Sequence, residues 1–261
     1  MVQSGKAEAV IVTNYHVIWG AEEVSVEWSD HATDHAVVLG ADSSADIAVL
    51  RPRATAGHAA LSWGDDTRLE PGDSVLAIGS PAGVLNAVSQ GIIAAKAQVP
   101  GATVLAQRVV DHFFTDSALG AGASGGPLLD LNGRVVGVNF GVAGASRGLS
   151  IAIPASLAKL VVSDLSRGVQ QARASLGLEV REDRAGIVRV ALVAPASAAD
   201  AVGVRPSDEI VSLNGRKIRG AIDFQSCAFT AQPGASAKLE IVRDGRSHLY
   251  TLTTSPLSPP P

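Results

Sequence analysis

Short apolar runs, separated by polar or glycine-rich stretches, dominate the chain, and their spacing predicts strands more often than helices. Ala9–Val12 is the first such run. Val24-Ser-Val-Glu-Trp28 alternates apolar and polar positions, as a half-buried strand does. Ile47-Ala-Val-Leu50 is a continuous apolar run of the buried-strand kind. Ser74–Ile78 follows the turn Pro71-Gly72-Asp73, and Val135–Val138 follows Asn132-Gly133, a strong hairpin signal. Leu149–Ile153 stops at Pro154. There the period changes: Leu157, Leu160, Val161 and Leu165 recur at helical spacing, with Pro154 at the entry and Gly168 at the exit. Beyond a polar stretch at 169–174 the strand pattern returns, at Leu178–Val180, Ile187–Val190, Ile210–Leu213, Ala237–Arg243 and His248–Leu252. Ser197–Val202 and Ala221–Thr230 read as short helices, and Val242–Arg246 reads as a hairpin turn. Ser255–Pro261 is too rich in proline for a ladder and is expected to be disordered. The organisation is therefore a β-rich unit over 1–154, a linker helix over 155–174, a compact second unit over 175–254 and a tail over 255–261.

Composition narrows the function. A chain of 261 residues can bury the cores of two domains. Its 21 Lys and Arg against 25 Asp and Glu give a net charge of -4, with no basic run, so nucleic acid and anionic membranes are not expected partners. No apolar stretch reaches the roughly 18 residues a transmembrane helix needs. The N-terminus has no charged head followed by a long apolar core, so no signal peptide is expected. A single cysteine, Cys227, excludes an internal disulfide framework and a Cys-rich zinc site. It reads as a small buried hydrophobe on the second short helix.

Several polar residues read as structural. His31 and His35, with Asp30 and Asp34, fit a solvated loop better than a metal site, and Asp65, Asp66 and Asp73 fit turns. His112 is expected to pack within a strand. Trp19, Trp28 and Trp63 are read as core or loop anchors. No metal and no organic cofactor is implied.

One segment carries chemistry: Gly120-Ala-Gly122-Ala-Ser124-Gly-Gly126-Pro127-Leu128. A serine hydroxyl is a weak nucleophile and needs a base beside it and donors for the developing oxyanion. Small flanking residues let the backbone turn sharply and leave the N–H groups of Gly122 and Ser124 free to converge on one point. Alone, Ser-Gly-Gly would serve equally as a surface turn. A base is available in Thr13-Asn14-Tyr15-His16, although a lone histidine beside a strand is usually packed or solvated. A third member follows in Ala45-Asp46-Ile47, where a carboxylate at the mouth of a buried strand can hold an imidazole in one tautomer. Asp42 competes, but only Asp46 abuts the strand. His, Asp, Ser is the chain order of the chymotrypsin-type double barrel.

With these residues in hand, the chain resembles the HtrA (Deg) family of trypsin-like serine proteases. Thr13–Ile18, Ala45–Leu50, Ala77–Gly83, Thr115-Asp116 leading into Gly122–Leu128, and Leu149–Pro154 match the protease in order. Ser175–Leu178, Val193–Ala199, Gly203–Ile210 and Leu213–Gly215 match the PDZ domain that follows it. The resemblance implies a mainly β fold, a chymotrypsin-like double barrel followed by a PDZ domain. It implies His16 as general base, Asp46 as its orienter, Ser124 as nucleophile, and the Gly122 and Ser124 N–H groups as oxyanion hole. Ala118 at the S1 position carries no acid to neutralise Arg or Lys, so Ala118, Leu119, Ile151 and Ile153 are expected to form an apolar pocket for small aliphatic residues. In the PDZ unit, Leu176, Gly177 and Leu178 would capture a C-terminal carboxylate, with the peptide added as a strand beside the Ala221–Thr230 helix.

Further implications of the resemblance are unfolded protein substrates, a homotrimer and a periplasmic or cell-envelope home. Ala123 stands where the family usually has Asn. Family members carry at least one barrel strand before the histidine segment, whereas fifteen residues precede His16 here, so the first barrel is expected to lack a strand. That expectation leaves a rival open, a weak or inactive protease that works as a PDZ-bearing peptide binder.

Overall fold

The computed structural model describes residues 9–54, 58–97, 112–118, 120, 122–142, 148–169, 174–183, 185–229 and 231–256, which fall into two units divided near residue 170. In the first unit, β1 (Ile11–Thr13), β2 (Glu23–Glu27), β3 (Thr33–Asp42) and β4 (Ile47–Pro52) form an open antiparallel sheet in the order β1-β4-β3-β2. The continuous apolar run of β4 has a physical cause: Ile47, Ala48 and Val49 are wholly buried. Next, β5 (Ser74–Gly79), β6 (Ala87–Ala97), β7 (His112–Thr115), β8 (Pro127–Leu129), β9 (Val135–Val142) and β10 (Ser150–Pro154) close into a barrel in the order β10-β7-β6-β5-β8-β9. Closure leaves this barrel no free edge. The mainly β, double-barrel reading thus holds as one closed barrel beside one open sheet.

Helix α1 (Ala155–Ser166), expected as a linker, lies on this first unit, where Leu157, Ala158, Val161, Val162 and Leu165 are buried. Gly40 in β3 permits the approach, because a Cβ there would sit 3.0 Å from a Leu165 methyl. Asp66 anchors the helix start, accepting the Ser156 backbone N–H at 3.0 Å and its hydroxyl at 2.8 Å. Burial pushes the Asp66 carboxyl up and the Ser156 bonds pull it down, with burial the stronger.

The second unit contains β11 (Ala174–Ser175), β12 (Leu178–Glu182), β13 (Val188–Val193), α2 (Ala198–Ala201), β14 (Glu209–Leu213), β15 (Arg216–Lys217), α3 (Ala221–Phe229), β16 (Ser236–Arg243), β17 (Arg246–Thr253) and β18 (Ser255–Pro256). Its sheet runs β12-β13-β14-β16-β17, with β15 on β14. Val188, Val190, Ile210, Leu213, Phe224, Leu239 and Ile241 fill the core, and Cys227 packs against it with its thiol pKa raised by burial. At the expected hairpin turn, Asp244 and Gly245 take φ of 51° and 72°, the left-handed pair that matches strand twist. Among the described residues no helix is long and apolar enough to cross a membrane.

Two expectations are corrected. Asp34 and His35 lie in β3 rather than in a loop, paired with Val26 and Ser25 of β2. Their polar side chains carry no apolar signal; backbone pairing makes the strand, and the Asp34 carboxylate adds a bond from the Ala54 N–H at 2.9 Å. Ser255 and Pro256 are not tail but form a short ladder with Ser175 and Ala174, since a proline at a strand end needs no N–H partner. Of the two readings of Trp19, core or loop anchor, the core one falls: Trp19 is 78% exposed, with its ring 6.4 Å from that of Tyr15.

An acid-dependent bond ties the second unit together. Asp208, 2% exposed, takes two bonds of 2.6 Å from the Arg243 guanidinium and one of 2.7 Å from the Arg205 N–H. Burial alone would raise this carboxyl, but those bonds outweigh it and hold it below the usual carboxylate range. A depressed folded pKa contributes stability above the unfolded value of about 3.9, and that stability is lost as pH falls through the folded value. Asp208→Asn is therefore expected to lower stability at pH 7 by about 3 kcal/mol and to flatten its decline below about pH 4. Denaturant melts of both proteins across that range check this.

Candidate active site

The segment 14–16 is tied to Asp46 by four hydrogen bonds. β1 pairs with β4 in a register that sets Thr13 opposite Ala48, which brings the residues following β1 alongside those preceding β4. Asp46 takes φ 52°, a left-handed conformation unusual outside glycine, asparagine and aspartate. In that conformation its backbone carbonyl accepts the Asn14 side-chain amide at 3.0 Å and the Tyr15 N–H at 3.2 Å. Its carboxylate faces His16: Oδ1 accepts the backbone N–H at 2.9 Å and Oδ2 lies 2.7 Å from Nδ1. The carboxylate is 3% exposed and the imidazole 33%. Burial pushes the Asp46 carboxyl up, and the His16 bonds oppose it. Asp42, the competing carboxylate, accepts the Ser44 and Ala45 N–H groups at 2.9 and 3.1 Å and so braces the turn into β4.

The loop that carries Ser124 is pressed between the two sheets of this unit, and its glycines are the reason it fits. Gly122 has φ 98°, and a Cβ there would lie 2.4 Å from the Ser80 carbonyl oxygen. Gly125 has φ 83°, and a Cβ there would lie 2.2 Å from Thr13 Oγ1. Three bonds fix the loop: the Ser80 N–H to Gly122 O at 3.1 Å, the Gly125 N–H to Asn139 O at 2.8 Å, and the Asn139 N–H to Gly126 O at 2.8 Å. Ser124 is thereby carried to the β1 end that bears His16. Its hydroxyl donates to the Phe140 carbonyl oxygen at 3.0 Å, and the Phe140 ring meets the imidazole edge-on at 5.9 Å.

The expected S1 residues are dispersed in accessibility. Ile151 and Ile153 are buried in the barrel wall, Ile151 in a cluster with Phe114, Phe140 and Leu149. Ala118 is exposed, with its N–H bound to Ser89 Oγ at 2.8 Å; Leu119 lies outside the described residues. In the second unit, Gly177 has φ 77° and its N–H donates to Ser175 Oγ at 3.0 Å. The Leu176 and Gly177 carbonyls accept from the N–H groups of Ala199 and Ala194 at 3.1 and 2.8 Å, so this loop is held by the turn before α2 and by its first residues. Leu178 is half-buried and opens β12, the edge strand of its sheet.

Residues 2–138 match the model of the trypsin-like peptidase domain, and residues 174–254 match that of the PDZ domain. The chain belongs to the trypsin-like peptidase family. Within it the chain has the HtrA/Deg arrangement, a peptidase domain followed by a PDZ domain. It is 34% identical to a probable periplasmic serine endoprotease DegP-like of Ectopseudomonas mendocina, over 96% of this chain and 55% of that protein. It is 30% identical to the periplasmic pH-dependent serine endoprotease DegQ of Escherichia coli, over 92% of this chain and 55% of that protein. The HtrA-type protease AlgW, solved with a tripeptide, superposes with a TM-score of 0.71 at 28% identity, over 100% of this chain and 89% of that one. This chain thus spans about half the length of the DegP-like and DegQ relatives.

Asn139 and Phe140 lie outside the matched HtrA/Deg segments, and the roles of Asn14 and Ser80 within them come from the structure. Asn139 is wholly buried, and its amide donates to the Ile78 carbonyl at 3.0 Å and the Pro127 carbonyl at 3.3 Å, joining β5, β8 and β9 beside the Ser124 loop. A signal for it existed: one polar residue at the end of the apolar run Val135–Val138 has to find buried partners. Ser80 acts through its backbone, Asn14 through its side-chain amide and Phe140 through its carbonyl and ring, and each depends on a partner distant in sequence that spacing does not encode.

Proposed function

We propose that this chain is a serine endopeptidase that hydrolyses unfolded or misfolded polypeptides through an acyl-enzyme. The observation that carries this reading is the pairing of His16 with Asp46 at 2.7 Å beside a glycine loop that delivers Ser124 to the same end of β1. His16 takes the Ser124 proton as Oγ attacks the scissile carbonyl. Asp46 holds Nδ1 protonated, so that Nε2 is the lone-pair nitrogen, and it stabilises the imidazolium that forms. The N–H groups of Gly122 and Ser124 stabilise the oxyanion. His16 then gives its proton to the leaving amine, and water, activated by the same base, releases the acyl group. Ala118, Leu119, Ile151 and Ile153 select small aliphatic side chains on the acyl side of the cut.

The PDZ unit binds C-terminal peptides, with the carboxylate at Leu176, Gly177 and Leu178 and the peptide strand added to the free edge of β12. AlgW in complex with short peptides, and relatives named as periplasmic serine endoproteases, support this reading and a periplasmic home. The bond from Ser124 to the Phe140 carbonyl favours one rival, a peptide-binding protein whose protease half is silent. A fluorophosphonate separates the two. Covalent labelling mapped to Ser124 and abolished in His16→Ala is the expected result; an unlabelled, folded chain would leave the binder.

A further inference from the structure

The β9–β10 ladder pairs Asn139 with Ala152 and Gly141 with Ile151, so Phe140 is an extra residue with no partner across the ladder. A bulge of this kind bends the strand and re-aims the unpaired residue's side chain and carbonyl. At Phe140 both are aimed at the reacting groups. The carbonyl accepts the Ser124 hydroxyl at 3.0 Å and the ring lies 5.9 Å from the His16 ring. The Phe140 ring also lies 5.8 Å from the His112 ring, and it packs with the apolar cluster of Phe114, Leu149 and Ile151. One bulged residue therefore touches the nucleophile, the base and the barrel wall containing the expected S1 isoleucine.

We propose that Phe140 is a positioning residue, which parks the Ser124 hydroxyl on its carbonyl at rest and fixes the plane of the His16 imidazole with its ring. The inference rests on the proposed reaction and adds a conformational step to it. A hydroxyl has one proton, and while that proton is on the Phe140 carbonyl it is not on a path to the base. Rotation of Ser124 about χ1 redirects the O–H from the Phe140 carbonyl towards Nε2; the proton stays on Oγ, and only the hydrogen bond is exchanged. The imidazole must wait in the correct plane for that rotation to be productive. Asp46 holds it at Nδ1 and the backbone, which leaves a hinge about that bond, and the ring of Phe140 closes the hinge.

The test uses the whole chain with Phe140→Ala, Phe140→Leu and Phe140→Tyr, each checked for an unchanged melting temperature. Since a displacement of about 1 Å can cost 100-fold in rate, Phe140→Ala is expected to lower kcat by roughly 10- to 100-fold with little change in KM. Phe140→Tyr, which keeps the ring, is expected to recover most of the loss, and Phe140→Leu less. Independently of turnover, the low-field Nδ1–H proton resonance of His16 is expected to be sharp in the parent and broadened in Phe140→Ala by ring motion and exchange with water. Unchanged kcat in a folded Phe140→Ala overturns the proposal, as does loss confined to KM or an unaltered resonance. A parent that does not hydrolyse peptides would refute the reaction, while the resonance would still decide whether Phe140 holds the imidazole.

Discussion

Replacing Asp46 by asparagine is expected to lower kcat by about four orders of magnitude while leaving the fold in place. The reason lies in which oxygen faces which donor. Oδ1 accepts the His16 backbone N–H at 2.9 Å, and an amide NH2 cannot face another N–H, so the asparagine oxygen has to remain there. Its NH2 then faces Nδ1 in place of Oδ2. Nδ1 becomes the acceptor, the ring proton moves to Nε2, and Nε2 can no longer take the Ser124 proton. Asparagine tolerates the left-handed φ of 52°, so the backbone bonds to Asn14 and Tyr15 persist. Peptide hydrolysis at pH 7, beside circular dichroism of both proteins, checks this. A folded variant that keeps more than about a tenth of parental kcat would contradict the assigned tautomer.

The second large effect is structural. Gly125→Ala is expected to cost about 3 kcal/mol of stability and more than about 100-fold in activity, because the strain falls on the loop that carries Ser124. At φ 83° any side chain is strained, and the new Cβ would stand 2.2 Å from Thr13 Oγ1 and 3.2 Å from the Asn14 nitrogen. The loop can escape only by lifting off β1, which separates Ser124 from His16, the proposed nucleophile and base. Thr13→Ala added to Gly125→Ala removes the worst contact but not the backbone strain, so it should recover stability only in part. Thermal melts and kcat/KM of the two variants read this. Full recovery would place the whole effect in the clash, and no loss in Gly125→Ala would show that the loop is not clamped as described.

Much of the fold was legible because strand period and turn chemistry agree with it. Asn132-Gly133 and Asp244-Gly245 mark tight turns, and the run Ile47–Leu50 is the interior strand β4. Strand β3 was missed, because Thr33, Asp34 and His35 at its start are polar and hold their places through pairing with β2, so no apolar alternation marks the strand's entry. Asp66 looked like one turn carboxylate among three, and only the fold brings Ser156, ninety residues away in sequence, within its reach. In the site, His16, Asp46 and Ser124 stood out through residue type and chain order. The bulge at Phe140 did not, since register is a property of two strands and one sequence segment cannot carry it. Asp46 was preferred to Asp42 on its place beside β4, and the reason is visible in the bonds each makes: Asp46 to residues 14–16, Asp42 to its own turn.

The most direct measurement is digestion of an unfolded protein such as casein by this chain and by Ser124→Ala, with the cut sites mapped by mass spectrometry. The expected result is cleavage by the parent alone, chiefly after Val, Ala, Ile or Leu, with both proteins equally folded. Cleavage by Ser124→Ala at the parental rate, or no cleavage by a parent that is folded, would contradict the account.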